Sequence, residues 1–236
     1  MIDTTYRSTA AEIMDDFEME GDVLRDALDK IASINTLLGG NKVTLDGVKL
    51  LLSDQVEGKN IKIVDIGCGN GDMLRTLADF ANRRKLNFEL EGIDANAFTI
   101  SHAQTLSVKY DTISYTTADI FDPLTLAFPC DIILCTLTLH HFQDDELLKL
   151  LKKFTEKARL GIVINDLHRS KLAYYLFNAI CFLFRLNDMS RADGLISILR
   201  GFKRGDLNTY SKKLHLRKFS IHWRWAFRYQ WIIRTR

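Results

Sequence analysis

The sequence has little proline and little cysteine, and neither residue is placed as a linker or a metal site would require. Two prolines, Pro123 and Pro129, occur in 236 residues, so no proline-rich linker divides the chain. The four cysteines form no C-x-x-C pair and no cysteine–histidine spacing suited to zinc, and we expect no metal site. With no signal peptide, a reduced cytoplasmic protein is expected.

Apolar runs of membrane-spanning length are also missing. The stretch LAYYLFNAICFLF, residues 172–184, is too short to cross a bilayer, which needs about 20 apolar residues. The segment 172–186 fits either a buried lid helix or a helix resting on a membrane surface, and the sequence leaves both readings open. The oligomeric state is likewise not predicted.

Acidic residues are scarce at one end of the chain. Residues 203–236 hold 10 basic residues and 1 acidic residue, whereas residues 1–60 hold 12 acidic and 6 basic residues. The C-terminal segment also contains all three tryptophans. A basic, aromatic tail is typical of nucleic-acid binding, but a final pair of strands with basic outer faces explains it equally simply, and we favour the strands.

The pattern of apolar residues predicts a helical start followed by alternating strands and helices. Residues 1–58 are expected to form a helical N-terminal extension or lid, in which Gly39-Gly40 ends one helix and Thr44 caps a second through about Leu52. From residue 59 to 236, strand–helix alternation predicts an α/β domain with a parallel sheet. A helical substrate insert is expected at about 167–210, and two antiparallel strands joined near Trp225-Ala226 close the chain.

A glycine-rich bend lies between the first strand and the helix after it. Residues 61–77 read IKIVDIGCGNGDMLRTL, in which Gly67, Gly69 and Gly71 alternate with other residues. Such a bend brings a ligand close to bare backbone at a helix N-terminus. The third glycine comes one residue too soon for a dinucleotide fingerprint, and the Gly-Lys-Ser/Thr of a P-loop is absent. Asp65 would repel a phosphate but attract an ammonium or a sulfonium.

Four motifs in order resemble those of class I S-adenosylmethionine-dependent methyltransferases. They are VDIGCGNGD, EGID, TADIFD and DIILCTLTLHHF, which together cover residues 61–142, and the strand–helix order extends the likeness to about residue 166. The resemblance implies a Rossmann-like sheet of seven strands with helices on both faces and an antiparallel C-terminal hairpin. It also implies S-adenosyl-L-methionine as cofactor and S-adenosyl-L-homocysteine as product.

The same resemblance implies a role for each motif residue. Asp65 would lie near the cofactor's amino group through water, Asp94 would hold the ribose hydroxyls, and Asp119 would bind the adenine amino group. The full set of expected cofactor-binding residues is Asp65, Gly67, Cys68, Gly69, Gly71, Asp94, Ala95, Asp119, Ile120, Thr136 and Leu137. Cys68 is expected to be a small packing residue, because methyl transfer needs no thiol nucleophile.

The acceptor is expected to be a small aromatic molecule, phenol-like or quinol-like, methylated at oxygen, with a carbon of a quinol ring as the nearest alternative. The segment NDLHRSKLAYY with ADGLISILRGFKRGDL resembles, more loosely, a bacterial subgroup of methyltransferases of quinone or aromatic polyketide-like metabolites. Methyl transfer to a phenol needs a base, and a neutral imidazole can act as one. The candidate bases are His168 and His140, and the candidate acceptor-binding residues are His141, Arg169, Tyr174, Met14 and Phe17.

Two other functions stay open on the sequence. The chain could methylate RNA or another macromolecule that docks on the basic C-terminal segment, although no nucleic-acid partner is expected because no known RNA-binding module is evident. It could instead bind S-adenosylmethionine without catalysis, as a partner subunit.

Overall fold

The chain begins with two helices that pack beside the main sheet. The computed structural model describes residues 2–52, 58–122, 125–127 and 129–235. Helix α1 spans Asp22–Leu37 and helix α2 spans Gly40–Leu52, and Gly39 separates them with a φ of +75°. The predicted stop at Gly39-Gly40 is therefore found, and the predicted domain boundary near residue 58 follows residues 53–57, which lie outside the described residues.

The prediction that Thr44 caps α2 is wrong. Thr44 lies inside the helix, fully buried, because its hydroxyl is used for packing against the sheet rather than for capping. The Thr44 Oγ1 lies 3.0 Å from Thr136 Oγ1 and accepts a hydrogen bond from Asn165 Nδ2 at 3.1 Å. These tertiary contacts override the local capping preference.

Strands and helices alternate from residue 60 onward, as the sequence predicts. The strands are β1 (Asn60–Ile66), β2 (Asn87–Asp94), β3 (Ile113–Thr117), β4 (Cys130–Thr136), β5 (Ala158–Leu167), β6 (Phe219–Arg224) and β7 (Arg228–Arg234). The helices are α3 (Asp72–Arg84), α4 (Ala97–Leu106), α5 (Asp144–Lys157), α6 (Lys171–Leu183), α7 (Asp188–Arg200) and α8 (Arg204–Lys213). A short 3₁₀ turn, Ile13–Asp15, precedes α1, and a second one, Leu139–His141, follows β4.

The sheet has seven strands in the order β3-β2-β1-β4-β5-β7-β6. The first five pair in parallel, whereas β7 pairs antiparallel with both β5 and β6. The order reverses between β1 and β4, so the carboxyl ends of these two strands flank a crevice. The sequence prediction of a Rossmann-like methyltransferase sheet with an antiparallel C-terminal hairpin is confirmed.

Two apolar layers cover the sheet. On one face, α5 packs Leu147, Leu151 and Phe154 against strand residues such as Ile133 and Trp231. On the other face, α2 and α3 pack residues such as Val48, Leu74 and Leu77. Strand β4, which is buried along its length, reads as an apolar run interrupted by Asp131. Strand β7 is also mostly buried, but it carries the polar residues Arg228 and Gln230 among its apolar ones.

Helices α6, α7 and α8 lie between β5 and β6, where the sequence predicts an insert. Helix α6 leaves large apolar side chains exposed, namely Leu172, Tyr175, Leu176, Phe182 and Leu183. In the part of the chain that the structure describes, no helix has both the length and the apolar composition to cross a bilayer. Whether α6 acts as a lid or contacts a membrane surface remains a prediction.

Candidate active site

The glycine bend follows β1 and opens α3, and its backbone is held close to two neighbouring strands. The amides of Gly67 and Cys68 both donate to the Ile93 carbonyl on β2, at 2.8 and 3.2 Å. A Cβ at Gly67 would lie 2.5 Å from the Thr138 side chain, so only glycine fits there. At Gly69, with a φ of +53°, a Cβ would meet nothing within 4 Å, so this part of the loop leaves bare backbone facing open space.

Three carboxyl groups surround this bend. Asp65 is 2% exposed, and its Oδ1 has no hydrogen-bond partner among the described residues. Burial raises the pKa of Asp65 well above its ordinary value, and the nearby Asp72 and Asp94 raise it further. Burial also raises the pKa values of Asp72 and Asp94 themselves. An acidic cluster of this kind favours a cationic ligand and opposes a phosphate.

Asp94 is fixed in position by backbone amides. Its Oδ2 accepts from the Gly69 amide at 3.1 Å, and its Oδ1 accepts from the Asn96 amide at 3.1 Å. The carboxylate at the end of β2 is thus tied to the middle of the glycine bend. This arrangement links the two motifs, 25 residues apart in sequence, in one site.

A large cavity of about 730 Å³ opens along the carboxyl edge of the sheet. Fifteen of the eighteen residues predicted for the site line it. They are Asp65, Gly67, Cys68, Gly69, Asp94, Ala95, Asp119, Ile120, Thr136, Leu137, His140, His141, His168, Met14 and Phe17. Most of them lie at or just after the carboxyl end of a parallel strand, and those ends meet at one edge of the sheet. Met14 and Phe17 come from the N-terminal segment, which packs against this edge.

Three predicted site residues lie outside the cavity lining. Gly71 faces Tyr115, and a Cβ at position 71 would overlap the Tyr115 hydroxyl. Tyr174 is on α6 but packs edge-to-face against Tyr175, while Ala173 and Phe177 line the cavity instead. Helix α6 therefore turns the face with Ala173 and Phe177 toward the cavity, and not the face with Tyr174 that the sequence predicts.

The structure contradicts the acceptor-binding role that the sequence predicts for Arg169. The residue is 2% exposed, and its guanidinium forms hydrogen bonds with other groups of the protein. It donates to the carbonyls of Thr4, Thr5 and Gly201, at 3.0, 3.2 and 2.6 Å, and pairs with Asp206 at 3.0 Å. Arg169 thus anchors the N-terminal segment and is not carried forward as an acceptor ligand.

His140 is held by a carboxylate at the end of the neighbouring strand. Its Nδ1 lies 2.7 Å from Asp166 Oδ1, and its backbone amide donates to Asp166 Oδ2 at 3.2 Å. Burial alone would raise the pKa of Asp166, but His140, the Leu167 amide and His141 together more than offset this, so the pKa is lowered. An ionised Asp166 places the imidazole proton on Nδ1, which leaves the Nε2 lone pair free.

His168 has a different environment. It follows β5, is half-buried, and its Nδ1 accepts a hydrogen bond from the Trp223 indole at 3.3 Å. Burial lowers the pKa of His168, and Lys203 and Arg169 lower it further. The imidazole is therefore neutral at neutral pH, with its proton on Nε2 when Trp223 donates to Nδ1.

A partly buried polar cluster, formed by Glu12, Asp15, His141 and Arg200, lies beside His140. Asp15 accepts from His141 Nδ1 and from Arg200, each at 2.7 Å. Among the described residues, Glu12 Oε1 has no hydrogen-bond partner. It lies 3.9 Å from both His140 Nε2 and His141 Nδ1, and 3.5 Å from Arg200 Nη1.

The ligand atoms of Glu12, His140 and His141 lie within 4.8 Å of one another, which is close enough for a metal ion. The Arg200 guanidinium beside Glu12 opposes a further cation there. We therefore read the cluster as a hydrogen-bonded carboxylate–imidazole network, not as a metal centre.

Sequence reasoning missed Glu12, Asp15, Asp166, Arg200 and Arg228. Asp166 had a signal, because it ends a strand in the same way that Asp65 and Asp94 do. The other four gave none, since they come from the N-terminal segment, α7 and β7 and are brought to the site by long-range packing. Glu12, Asp15 and Arg228 line the cavity, whereas Arg200 binds Asp15 behind it.

The comparisons with known proteins agree with this geometry. A protein-family model described as a methyltransferase domain matches residues 63–161, which span the strands and loops of the site. These residues form a methyltransferase domain. The domain and the geometry of the glycine bend support an enzyme that uses S-adenosylmethionine and releases S-adenosylhomocysteine. No curated protein matches the methyltransferase by sequence.

Solved structures share its fold. The plantazolicin methyltransferase BpumL, solved with S-adenosylhomocysteine, is 15% identical with a TM-score of 0.66, and 90% of each chain is covered. The magnesium protoporphyrin IX methyltransferase of Synechocystis PCC 6803 is 15% identical with a TM-score of 0.56, covering 92% of this chain and 88% of that one. The CurJ carbon methyltransferase is 17% identical with a TM-score of 0.60, covering 82% and 54%. At these identities the likeness concerns the fold.

Proposed function

We propose that the methyltransferase transfers a methyl group to a hydroxyl of a small aromatic acceptor. The observation that supports this most is the pairing of His140 with Asp166. His140 lines the cavity, and because a carboxylate holds its Nδ1 at 2.7 Å, its Nε2 is the nitrogen left to accept a proton. Such a group can take the proton of a phenol, which is mostly neutral at pH 7.

The lining of the cavity supports an apolar, flat acceptor. Beyond the polar cofactor residues, its wall comes mainly from α1, α6, α7 and the N-terminal segment. The apolar lining there includes Met14, Phe17, Leu28, Ile31, Leu176, Phe177 and Ile180. Acceptor sites built from aromatic and aliphatic side chains suit ring-shaped ligands that bring only a few polar groups.

The N-terminal segment is proposed to act as a lid over this part of the cavity. Asp193 on α7 accepts from the backbone amides of Ile13 and Met14, at 2.8 and 2.9 Å. Asn96 donates to the Met19 carbonyl at 2.8 Å, which ties the same segment to the start of α4. A lid held at two points would exclude water from the reacting groups.

Each protein group then has one task. The bound cofactor supplies a methyl group on a sulfonium, which is electrophilic without further activation. Nε2 of His140 accepts the acceptor's hydroxyl proton, and ionised Asp166 stabilises the imidazolium that forms. The three carboxyl groups around the glycine bend favour the cationic cofactor and orient it.

His168 is the alternative base, and paired variants separate the two candidates. We expect His140→Gln to lower kcat by about 10²–10⁴-fold, because a general base usually contributes that much. His168→Gln should have a smaller effect, since Trp223 already occupies its Nδ1. Both variants should bind S-adenosylhomocysteine within about twofold of the wild type.

The measurement is methyl transfer from labelled cofactor to a panel of phenols, with calorimetry of cofactor binding as the control. A larger loss in His168→Gln than in His140→Gln would assign the base to His168. Full activity in both variants would refute an imidazole base. No transfer to any phenol by the wild type, with the cofactor bound, would refute the proposed acceptor class.

A further inference from the structure

Arg228 is a buried cation with unused hydrogen-bond donors. It is the first residue of β7, pairs with Leu167 at the end of β5, and lines the cavity at 4% exposure. Its Nε and Nη1 are buried, and neither has a hydrogen-bond partner among the described residues. Burial lowers the pKa of Arg228 to about 10, although Asp166 and Asp72 act in the opposite direction.

Among the described residues, no hydrogen bond or ion pair joins either carboxylate to the guanidinium, and both carboxylates bind other groups. Asp166 accepts from His140 Nδ1 and from the Leu167 amide, both at 2.7 Å. Asp72 Oδ2 accepts from Asn41 Nδ2 at 2.9 Å. A buried guanidinium without an anion is unfavourable, so a ligand is expected to complete the site.

The surroundings of Arg228 place it at the end of the cavity that is close to the glycine bend. A Cβ placed on Gly40, the first residue of α2, would lie 3.1 Å from Arg228 Cζ and would overlap Asn35 Oδ1. Asn35 Nδ2 donates to Asn41 Oδ1 at 2.6 Å, and Asn41 in turn reaches Asp72 at the start of α3. This chain of hydrogen bonds joins the corner of Arg228 to the glycine bend.

The same corner holds unpaired acceptors as well as unpaired donors. Asn35 Oδ1 and Asp65 Oδ1 are both buried without a partner, and both residues line the cavity. The N-terminus of the 13-residue α2 adds partial positive charge near Arg228. An α-amino acid group, with one carboxylate and one ammonium, complements this set of donors and acceptors.

We propose that Arg228 binds a carboxylate, and that this is the carboxylate of the cofactor's methionine portion, whose ammonium faces Asp65 and Asn35. The proposal depends on the cofactor assignment and not on the identity of the acceptor. It gives β7, outside the four sequence motifs, a direct part in cofactor selection. A planar, two-pronged guanidinium matches a carboxylate better than a lysine would.

Calorimetry with two ligands tests this directly. One ligand is S-adenosylhomocysteine, and the other is S-adenosyl-3-thiopropylamine, which keeps the ammonium and lacks the carboxylate. The wild type should bind the first roughly 10- to 100-fold more tightly. In Arg228→Met the two affinities should agree within about threefold, and Arg228→Lys should fall between. Arg217→Met, which removes an exposed arginine, is the matched control and should keep the wild-type ratio.

Three results would overturn the proposal. The first is an unchanged affinity ratio in Arg228→Met. The second is an equal loss for both ligands together with a lower melting temperature, which would make Arg228 structural; we expect the ligand-free variant to melt at or above the wild-type temperature. The third is weaker binding of 4-hydroxybenzoate to the S-adenosylhomocysteine complex with cofactor affinity intact, which would assign the carboxylate to the acceptor.

Discussion

Replacing Asp65 by asparagine should stabilise the ligand-free methyltransferase and weaken its cofactor binding. Asp65 is 2% exposed, its Oδ1 lacks a hydrogen-bond partner, and Asp72 and Asp94 lie near enough to raise its pKa further. The native carboxyl group is thus unfavourable until a cation arrives. Asparagine keeps the shape and removes the charge.

The size of both effects follows from burial. A buried polar group without a partner costs about 1–3 kcal/mol, and more when it is charged, so removal of the charge should raise the melting temperature by roughly 2–6 °C in a chain of this size. A unit charge 4 Å from a cation contributes about 4 kcal/mol at an effective dielectric constant of 20. After desolvation of both groups, about 1.5–3 kcal/mol should remain, which is roughly a 10- to 150-fold loss of affinity.

Two assays check the Asp65→Asn prediction together. Thermal unfolding without ligand gives the stability, and calorimetry with S-adenosylhomocysteine gives the affinity. Asp79→Asn, on the exposed side of α3, is the control and should change neither quantity. A variant that is less stable than the wild type, or that binds the cofactor normally, would show that Asp65 has a structural role and no cation to hold.

Further variants test other parts of the site. Asp94→Ala should abolish most cofactor binding by calorimetry, because its carboxylate is fixed by two amides at the end of β2; normal affinity would reject the ribose assignment. Gly71→Ala should lower the free energy of unfolding by about 2 kcal/mol in denaturant titrations, since φ is +78° and the new methyl group would overlap Tyr115; an unchanged midpoint would contradict this. Burial raises the pKa values of Glu12 and Asp72, so the folded state holds these protons longer than the unfolded state. Stability of the ligand-free protein should therefore fall as pH rises above about 4 through the raised pKa values, and a stability that rises steadily over that window would contradict the assignment.

The sheet, and the clustering of the motif residues at its carboxyl edge, could be predicted from the sequence because their signals are local. Asp65, Asp94 and Thr136 each lie at or next to the end of a strand, and strand order brings those ends to one edge. The glycine bend is likewise specified by residues that lie next to one another. The structure adds the distances between these groups and shows that Gly71 lies outside the cavity lining.

The acceptor half could not be predicted in the same way. Arg169 has the sequence context of a ligand, but it binds the N-terminal segment, which is about 165 residues away in the chain. Glu12 and Arg228 reach the cavity from opposite ends of the sequence, and no local pattern marks either residue. The orientation of α6 was also undetermined, because most of its residues are apolar and they do not single out one inward face.

Methyl transfer to a phenol is the most direct test of the central claim. The protein would be incubated with S-adenosylmethionine labelled on its methyl group and with phenols of increasing size. The products would then be separated and identified by mass spectrometry. The account predicts label in an aryl methyl ether, formed with wild-type protein and strongly reduced with His140→Gln. Cofactor that binds but keeps its label with every acceptor, or that does not bind at all, would contradict it.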